Sequence, residues 1–346
     1  MNLISWNCRG LGNPRAVRDL CQMVKEKRPT LLFLMETKSI KHKLEGVRTK
    51  LGFEGLFAVD PIGRSGGVAL FWKEAGCLEI QNFTRRHINA VVHSPGCDNY
   101  WTLTCFYGHP ESAKRHESWA LLNHLKSFLP KAWLCIGDFN EIVEQEEKVG
   151  GDVRRESQME QFRMVLEDCG LSDMGYKGSK FTWTNCHKDG TFMKERLDRA
   201  VANRAWCEMY INREVQVLAA RSSDHKPLLL KIFDAEIAQP NYHKSFKFEA
   251  KWLADGECME VIKKAWEMGV DGGIGMQTAR LKLAQCQTQL MRWSARKYGD
   301  AERVFKRKTK QLEVLQRQES EANLAAIQTL KREIDFLLEQ EDIKWK

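Results

Sequence analysis

A chain of 346 residues with 43% apolar side chains, including 11 Trp and 16 Phe, exceeds one typical domain and supplies a sizeable core, which excludes a small or intrinsically disordered protein. The formal charge of +8 favours polyanionic partners, nucleic acid or an acidic membrane surface, and speaks to association and not to fold. Eleven cysteines without a Cys-x-x-Cys pair exclude a disulfide framework and a zinc ribbon, and no apolar run reaches membrane-spanning length. The thiols read as reduced, and the first residues enter a strand-like segment without a basic and apolar leader. The expectation is a protein that is not secreted, nuclear or cytoplasmic, with no membrane association.

In chain order, Asn2–Asn7 reads as a short strand ending on an amide, followed by a turn-rich loop to Pro14. Val17, Leu20, Cys21 and Val24 recur at helical spacing, which predicts an amphipathic helix from about Pro14 to Lys27, stopped before Pro29. A buried strand, Thr30 to Met35, then ends on Glu36. Further strands are predicted at Ser65–Trp72, Ile88–Val92 and Trp101–Tyr107, and Trp119, Leu122 and Leu125 mark a helix.

The segment Ala132–Glu141 is the most informative. Trp133, Leu134, Cys135 and Ile136 form an apolar run that ends at Gly137, expected to turn the backbone, and at Asp138 and Asn140. Taken alone, Asp138 and Asn140 are equally a polar turn after any strand. The charged run Glu144–Arg155 reads as an exposed loop, and Met159, Phe162, Val165 and Leu166 as a helix. Phe181–Thr184 and Arg196–Ala200 flank a hairpin-like Asp189-Gly190. Val215–Ala219 leads through Ser223-Asp224-His225 to a last strand, Leu228–Phe233. Strands interleaved with helices imply a layered, sandwich-like α/β domain over residues 1–233.

A polar connector, residues 234–275, contains Pro240, an aromatic segment Phe246–Trp252 and a glycine-rich break at 271–275. Residues 276–346 read as a helical, coiled-coil-like arm with apolar seams at Ala279, Leu283, Cys286, Leu290 and Trp293 and at Ile327, Leu330, Ile334 and Leu337. Ten Lys or Arg against two acids between Arg280 and Lys310 describe either a solvated helix face or a nucleic-acid contact.

The polar residues at strand ends are Asn7, Glu36, Tyr107, Asp138 with Asn140, and Ser223-Asp224-His225. Carboxylates, an amide, a phenol and an imidazole form an inventory suited to hydrolysing a phosphate ester with a hard cation. Mg²⁺ takes a few carboxylate oxygens and leaves positions for phosphate.

Six motifs in order carry a resemblance: Ser5-Trp-Asn-Cys-Arg-Gly10, Met35-Glu-Thr37, Phe106-Tyr-Gly108, Gly137-Asp-Phe-Asn140, Arg196-Leu-Asp-Arg199 and Ser223-Asp-His225. They are similar to the motif series of the endonuclease, exonuclease and phosphatase superfamily. More narrowly, residues 1–233 resemble the abasic-endonuclease-like domain of plant LINE-type (non-LTR) retrotransposons. The helices after it resemble the stretch that links this domain to reverse transcriptase.

The resemblance implies a four-layer αββα sandwich of the DNase-I-like type, binding Mg²⁺ or Mn²⁺ and nicking DNA to leave 3′-hydroxyl and 5′-phosphate ends. It implies metal-binding roles for Glu36, Asn7 and Asp224. Asp138 would activate water, Asn140 would hold water or phosphate, His225 oriented by Asp198 would contact phosphoryl oxygens, and Tyr107 and Ser223 would contact phosphate. Arg9 departs from the pattern, because abasic-site repair enzymes carry an acid there; this removes one contributor to the metal shell and argues against repair. Two other readings are a phosphatase of phosphorylated lipids or inositols and a catalytically silent nucleic-acid-binding protein. The C-terminal helices are candidates for self-association or RNA contact.

Overall fold

The computed structural model describes residues 1–63, 65–93, 100–127, 132–233, 246, 248, 252–253, 255–268 and 276–343. The expected polar connector around Pro240 and the glycine-rich break at 271–275 lie outside the described residues.

Apolar patterning decides the two sheets. In β1 (Asn2–Asn7) and β2 (Leu31–Met35), Leu3, Leu31, Phe33 and Met35 pack on one side, while Ile4, Trp6, Leu32 and Leu34 pack on the other. Both faces are covered, so these strands read as continuous apolar runs. They sit centrally in a six-stranded sheet ordered β14-β15-β1-β2-β4-β3, where β3 is Gly55–Val59, β4 Val68–Trp72, β14 Arg213–Val217 and β15 Leu228–Ile232. A second six-stranded sheet is ordered β10-β13-β8-β7-β6-β5. Its members are β5 (Leu78–Thr84), β6 (His87–His93), β7 (Tyr100–Tyr107), β8 (Trp133–Asp138), β10 (Leu171–Asp173) and β13 (Asp198–Asn203). In each sheet one central pair is parallel, β1 with β2 and β7 with β8, and the other neighbours are antiparallel. A small third sheet joins β9 (Lys148–Val149), β11 (Trp183–Thr184) and β12 (Lys194–Glu195).

The inner faces of the large sheets meet in one core containing Leu3, Phe33, Leu103, Cys105, Leu134 and Ile136. Helices α1 (Pro14–Lys27) and α2 (Lys41–Leu51) cover the outer face of the first sheet through Leu20, Met23 and Leu44. Helices α3 (Arg115–Lys126) and α4 (Glu156–Asp168) cover the second through Trp119, Leu122 and Phe162, and a short α5 (Arg204–Met209) follows β13. The result is the four-layer αββα sandwich. Helix α1 starts where Asn13 accepts a hydrogen bond from the Arg15 amide and Pro14 takes the first turn, and it closes on the left-handed Arg28.

Three expectations are corrected. Gly137 is not a turn but lies inside β8. Its φ is +154°, and a Cβ there would stand 1.8 Å from the Phe106 carbonyl oxygen, so close approach of β7 requires glycine. The charged run after Glu144 is not simply an exposed loop: Glu147 is buried and takes Arg196 and Arg199 at 2.7 Å each. The loop through Asp189-Gly190 joins β11 to β12, whereas Asp198–Asn203 leaves that hairpin for the second sheet.

The chain divides into two compact units, Met1–Ala235 with Leu312–Lys331, and Glu236–Gln311 with Arg332–Lys346. In the second, α6 (Gly256–Glu267) packs through Cys258 with Trp252, Leu290 and Trp293 of α7 (Met276–Arg317). The expected seam holds at Cys286, Leu290 and Trp293, while Ala279 and Leu283 are exposed. On α8 (Leu324–Ile343) the buried positions are Leu324, Ile327, Ile334 and Leu338, one residue off the expected Leu337. Among the described residues no helix is long and apolar enough to cross a membrane.

Candidate active site

The site is the polar end of the inter-sheet core, and strand periodicity puts it there. In β7 the inward series is Trp101, Leu103, Cys105 and Tyr107; in β8 it is Leu134, Ile136 and then Asp138; in β13, Ala202, Ala200 and then Asp198. Asn7 has the parity of Leu3 in β1. Pairing brings the ends together: Tyr107 lies opposite Asp138, Asp198 opposite Asp138, and Asn7 opposite Met35, the residue before Glu36.

Asn7 links the two sheets. Its Nδ2 donates to Glu36 Oε1 at 3.2 Å and to Asp138 Oδ2 at 3.0 Å, and stands 3.5 Å from His225 Nε2. Tyr107 Oη donates to Glu36 Oε1 at 3.0 Å. His225 Nδ1 is 2.9 Å from Asp198 Oδ2, and its Nε2 faces Asp138 at 3.8 Å. The Asn140 amide donates to Asp138 Oδ1 at 2.9 Å, and the Asn140 side chain donates to the Gly108 carbonyl. Ser223 Oγ donates to the Asn7 carbonyl at 2.8 Å and receives the His225 amide, which ties the last loop to β1. Asp224 stands beside this group and accepts from Trp183 Nε1 at 3.1 Å. All nine residues singled out in the sequence therefore meet in one neighbourhood.

Three further residues contribute, of which only Arg9 stood out in the sequence, and then as a departure from the motif. Arg9 spans two carboxylates, with Nη1 3.4 Å from Glu36 Oε1 and Nε 3.3 Å from Asp224 Oδ1. Lys38 Nζ lies 3.4 Å from Glu36 Oε2. Thr182 Oγ1 receives the Asp198 amide at 2.9 Å. The motif Arg196-Leu-Asp-Arg199 divides by role: both arginines anchor on Glu147 and Asp173, leaving Asp198 to meet His225. Arg9, Glu36, Lys38 and Asn140 all have left-handed backbone, with φ between 48° and 55°, and this strain gathers around the site.

Electrostatics follow from this packing. Burial and the neighbouring Asp198 push the Asp138 carboxyl up to about 7, against His225 and the Asn7 hydrogen bond. Burial opposes the charged form of His225, but Asp198 and Asp138 prevail and raise it to about 9. Burial also opposes ionisation of Glu36, yet Arg9 and hydrogen bonds from Asn7 and Tyr107 hold it below the usual carboxylate range. Tyr107 is pushed upward by burial and by Glu36, so its phenol keeps its proton.

Two carboxylate groupings are candidates for a cation. Asp138, Asp198 and His225 converge within 4.8 Å, but the ring already pairs with Asp198 and carries the positive charge there. Glu36 and Asp224 offer oxygen only, stand at the more accessible margin and already draw Arg9 and Lys38. Oxygen donors alone suit a hard divalent ion, so this second grouping fits one better.

A two-sheet sandwich with a carboxylate–histidine cluster at the end of its inner core defines the DNase-I-like class of α/β proteins. The chain belongs to the Endonuclease/Exonuclease/phosphatase family, whose sequence profile matches residues 4–225; these are divalent-metal-dependent phosphoester hydrolases. Comparison with curated proteins yields no significant match. Among solved structures, the endonuclease domain of TRAS1, a telomere-specific non-LTR retrotransposon, is similar at 15% identity and a TM-score of 0.51, over 68% of this chain and 99% of that one. The 3′-5′ exonuclease NExo from Neisseria meningitidis gives 18% identity and 0.53, over 67% and 99%. An AP endonuclease from Archaeoglobus fulgidus gives 17% and 0.52, over 68% and 100%. At these identities the likeness concerns the fold.

Proposed function

We propose that this chain is a divalent-metal-dependent endonuclease that nicks DNA, leaving 3′-hydroxyl and 5′-phosphate ends, and that it derives from a plant LINE-type retrotransposon. The observation that carries the reading is the joint network of Asn7, Glu36, Tyr107, Asp138, Asp198 and His225 across both sheets. Structural likeness to a retrotransposon endonuclease domain and to an AP endonuclease supports DNA as the substrate.

Glu36, with Asn7 and Asp224, would hold Mg²⁺, or Mn²⁺ in its place. Bound there, the ion supplies charge neutralisation for the phosphate under attack. The protein's own groups do the rest. Asp138, raised toward neutrality by burial and Asp198, is matched to taking a proton from the attacking water. His225 stays cationic against Asp198 and faces the same space, where it stabilises developing charge on phosphoryl oxygens. Tyr107, whose hydroxyl donates to Glu36 in the free site, would turn that proton to a phosphate oxygen, and Asn140 and Ser223, which tie down the loops around it, would help hold the substrate phosphate.

The test is supercoiled plasmid with purified protein, in Mg²⁺ or EDTA, repeated with Asp138→Ala and His225→Ala. Nicking should require metal and vanish in both variants. Intact plasmid with the wild type, or equal nicking by all three, would sink the endonuclease reading. Phosphate release from phosphoinositides with no nicking would favour the phosphatase.

A further inference from the structure

The loop carrying Ser223, Asp224 and His225 is held from behind by residues more than 90 positions away. Gln316, at the end of α7, makes a double clamp on the backbone of one residue, Ala220. Its Oε1 accepts from the Ala220 amide at 3.0 Å, and its Nε2 donates to the Ala220 carbonyl at 2.8 Å. Glu319, in the turn before α8, accepts from Lys226 Nζ at 2.8 Å, and both side chains are 1% exposed. Lys226 follows His225 directly and turns away from the site. Its other bonds go to Ser179 Oγ and to the carbonyls of Phe181 and Gln316. Lys331 Nζ adds a contact to the Ser223 carbonyl. These residues belong to one compact unit.

A buried ammonium is costly without a charged partner, and removing one member of such a pair destabilises far more than the pair stabilises. Lys226 therefore keeps its place because Glu319 is there. A shift of Lys226 passes through one peptide bond to His225, whose ring must meet Asp198 at 2.9 Å. Helix α1 holds the same loop from another side, with Asp19 on Arg221 at 2.8 Å and on Ser222 at 2.7 Å.

We propose that Gln316 and Glu319 are positioning residues of the active site, which keep the Ser223–Lys226 segment in register with Asp138, Asp198 and Glu36. The proposal rests on the hydrolase reading above and deepens it. The turn between α7 and α8, within the same compact unit as the sandwich, is then part of the catalytic unit.

The experiment uses the full chain with Glu319→Gln and, separately, Gln316→Ala, the milder change, in case the first fails to fold. Amide hydrogen exchange is followed by mass spectrometry over residues 218–227 and over β8, alongside kcat and KM for plasmid nicking in Mg²⁺. Exchange over 218–227 should accelerate while β8 keeps its protection. Displacement of catalytic groups should lower kcat about tenfold or more with KM little changed. Wild-type exchange and nicking in both variants would overturn the proposal. Equal loss of protection in β8 would also overturn it, because the effect would then be general unfolding. A wild type that does not nick overturns the hydrolase reading instead, and the exchange data still report on whether the turn holds the loop.

Discussion

Arg9 Nη1 lies 3.4 Å from Glu36 Oε1 while Arg9 Nε lies 3.3 Å from Asp224 Oδ1, so one guanidinium bridges the two carboxylates best suited to a divalent cation. The arginine side chain is 48% exposed and can leave without opening the core. A metal ion held by Glu36 and Asp224, as proposed, would compete with the arginine for the same oxygens.

Replacing Arg9 with alanine should therefore tighten divalent-ion binding. The contacts are long and half-exposed, so a gain of about fivefold is expected, the scale of a surface ion pair. Titration with Mn²⁺ followed by electron paramagnetic resonance measures it, and unchanged or weaker binding would contradict the competition. Nicking at saturating metal should fall, since a cation facing the substrate is lost.

Metal addition should stabilise the protein in proportion to the logarithm of its concentration over Kd. Melting temperature should rise with Mg²⁺ in the wild type, return on adding EDTA, and respond little in Glu36→Gln. A full response in Glu36→Gln would place the ion elsewhere, with the Asp138, Asp198 and His225 cluster as the next candidate.

Asp198→Asn should remove the charge that holds His225 protonated. The imidazole pKa, read by NMR in metal-free protein, should drop from its raised value near 9, and nicking at neutral pH should fall by about two orders of magnitude or more. A histidine that titrates as before would show that Asp138 alone sustains its charge.

The same groups set a pH dependence of stability without metal. His225 titrates higher folded than unfolded, near 9 against 6.5, so its contribution is complete below about 6.5 and is lost as pH rises through 9. Asp138 is raised from 3.8 to about 7, so the folded state again holds the extra proton, and stability falls as pH rises between those values. Urea midpoints in EDTA should decline from pH 5 to pH 9.5. His225→Ala should flatten the upper half of that decline, and an equally steep fall in the variant would refute the assignment.

Gly137→Ala should be poorly tolerated. The new methyl would overlap the Phe106 carbonyl, which is backbone and cannot swing aside, so a loss of about 3 kcal/mol or more is expected from chemical denaturation. A small loss would mean that β7 and β8 can separate locally.

Much of this organisation was legible in local pattern. The span of α1 follows from Pro14, the recurrence of Val17, Leu20, Cys21 and Val24, and Pro29, all within a few turns of chain. Strands β2 and β8 announce themselves as apolar runs because both faces are covered, and β7 by the alternation of apolar residues with Thr102 and Thr104. The edge strands β3 and β5 do not, since β3 is only half-buried and most of β5 is exposed. Arg9 was readable only as a departure from a motif, and Lys38 and Thr182 carried no signal, because Thr182 meets Asp198 only in the folded chain and Lys38 reaches Glu36, two residues before it, only through the left-handed backbone of both.

By itself the sequence determined which polar residues stand at strand ends, since strand period and turn chemistry are local properties of the chain. Only the tertiary structure decided which of those ends meet. Asn7 and His225 are 218 residues apart and lie 3.5 Å apart in the site, a relation set by strand order and register in two sheets. It also decided that a polar turn near residue 319 would neutralise Lys226 beside His225. No periodicity encodes such a contact, because it depends on the shape and charge of two surfaces that exist only once the chain has folded.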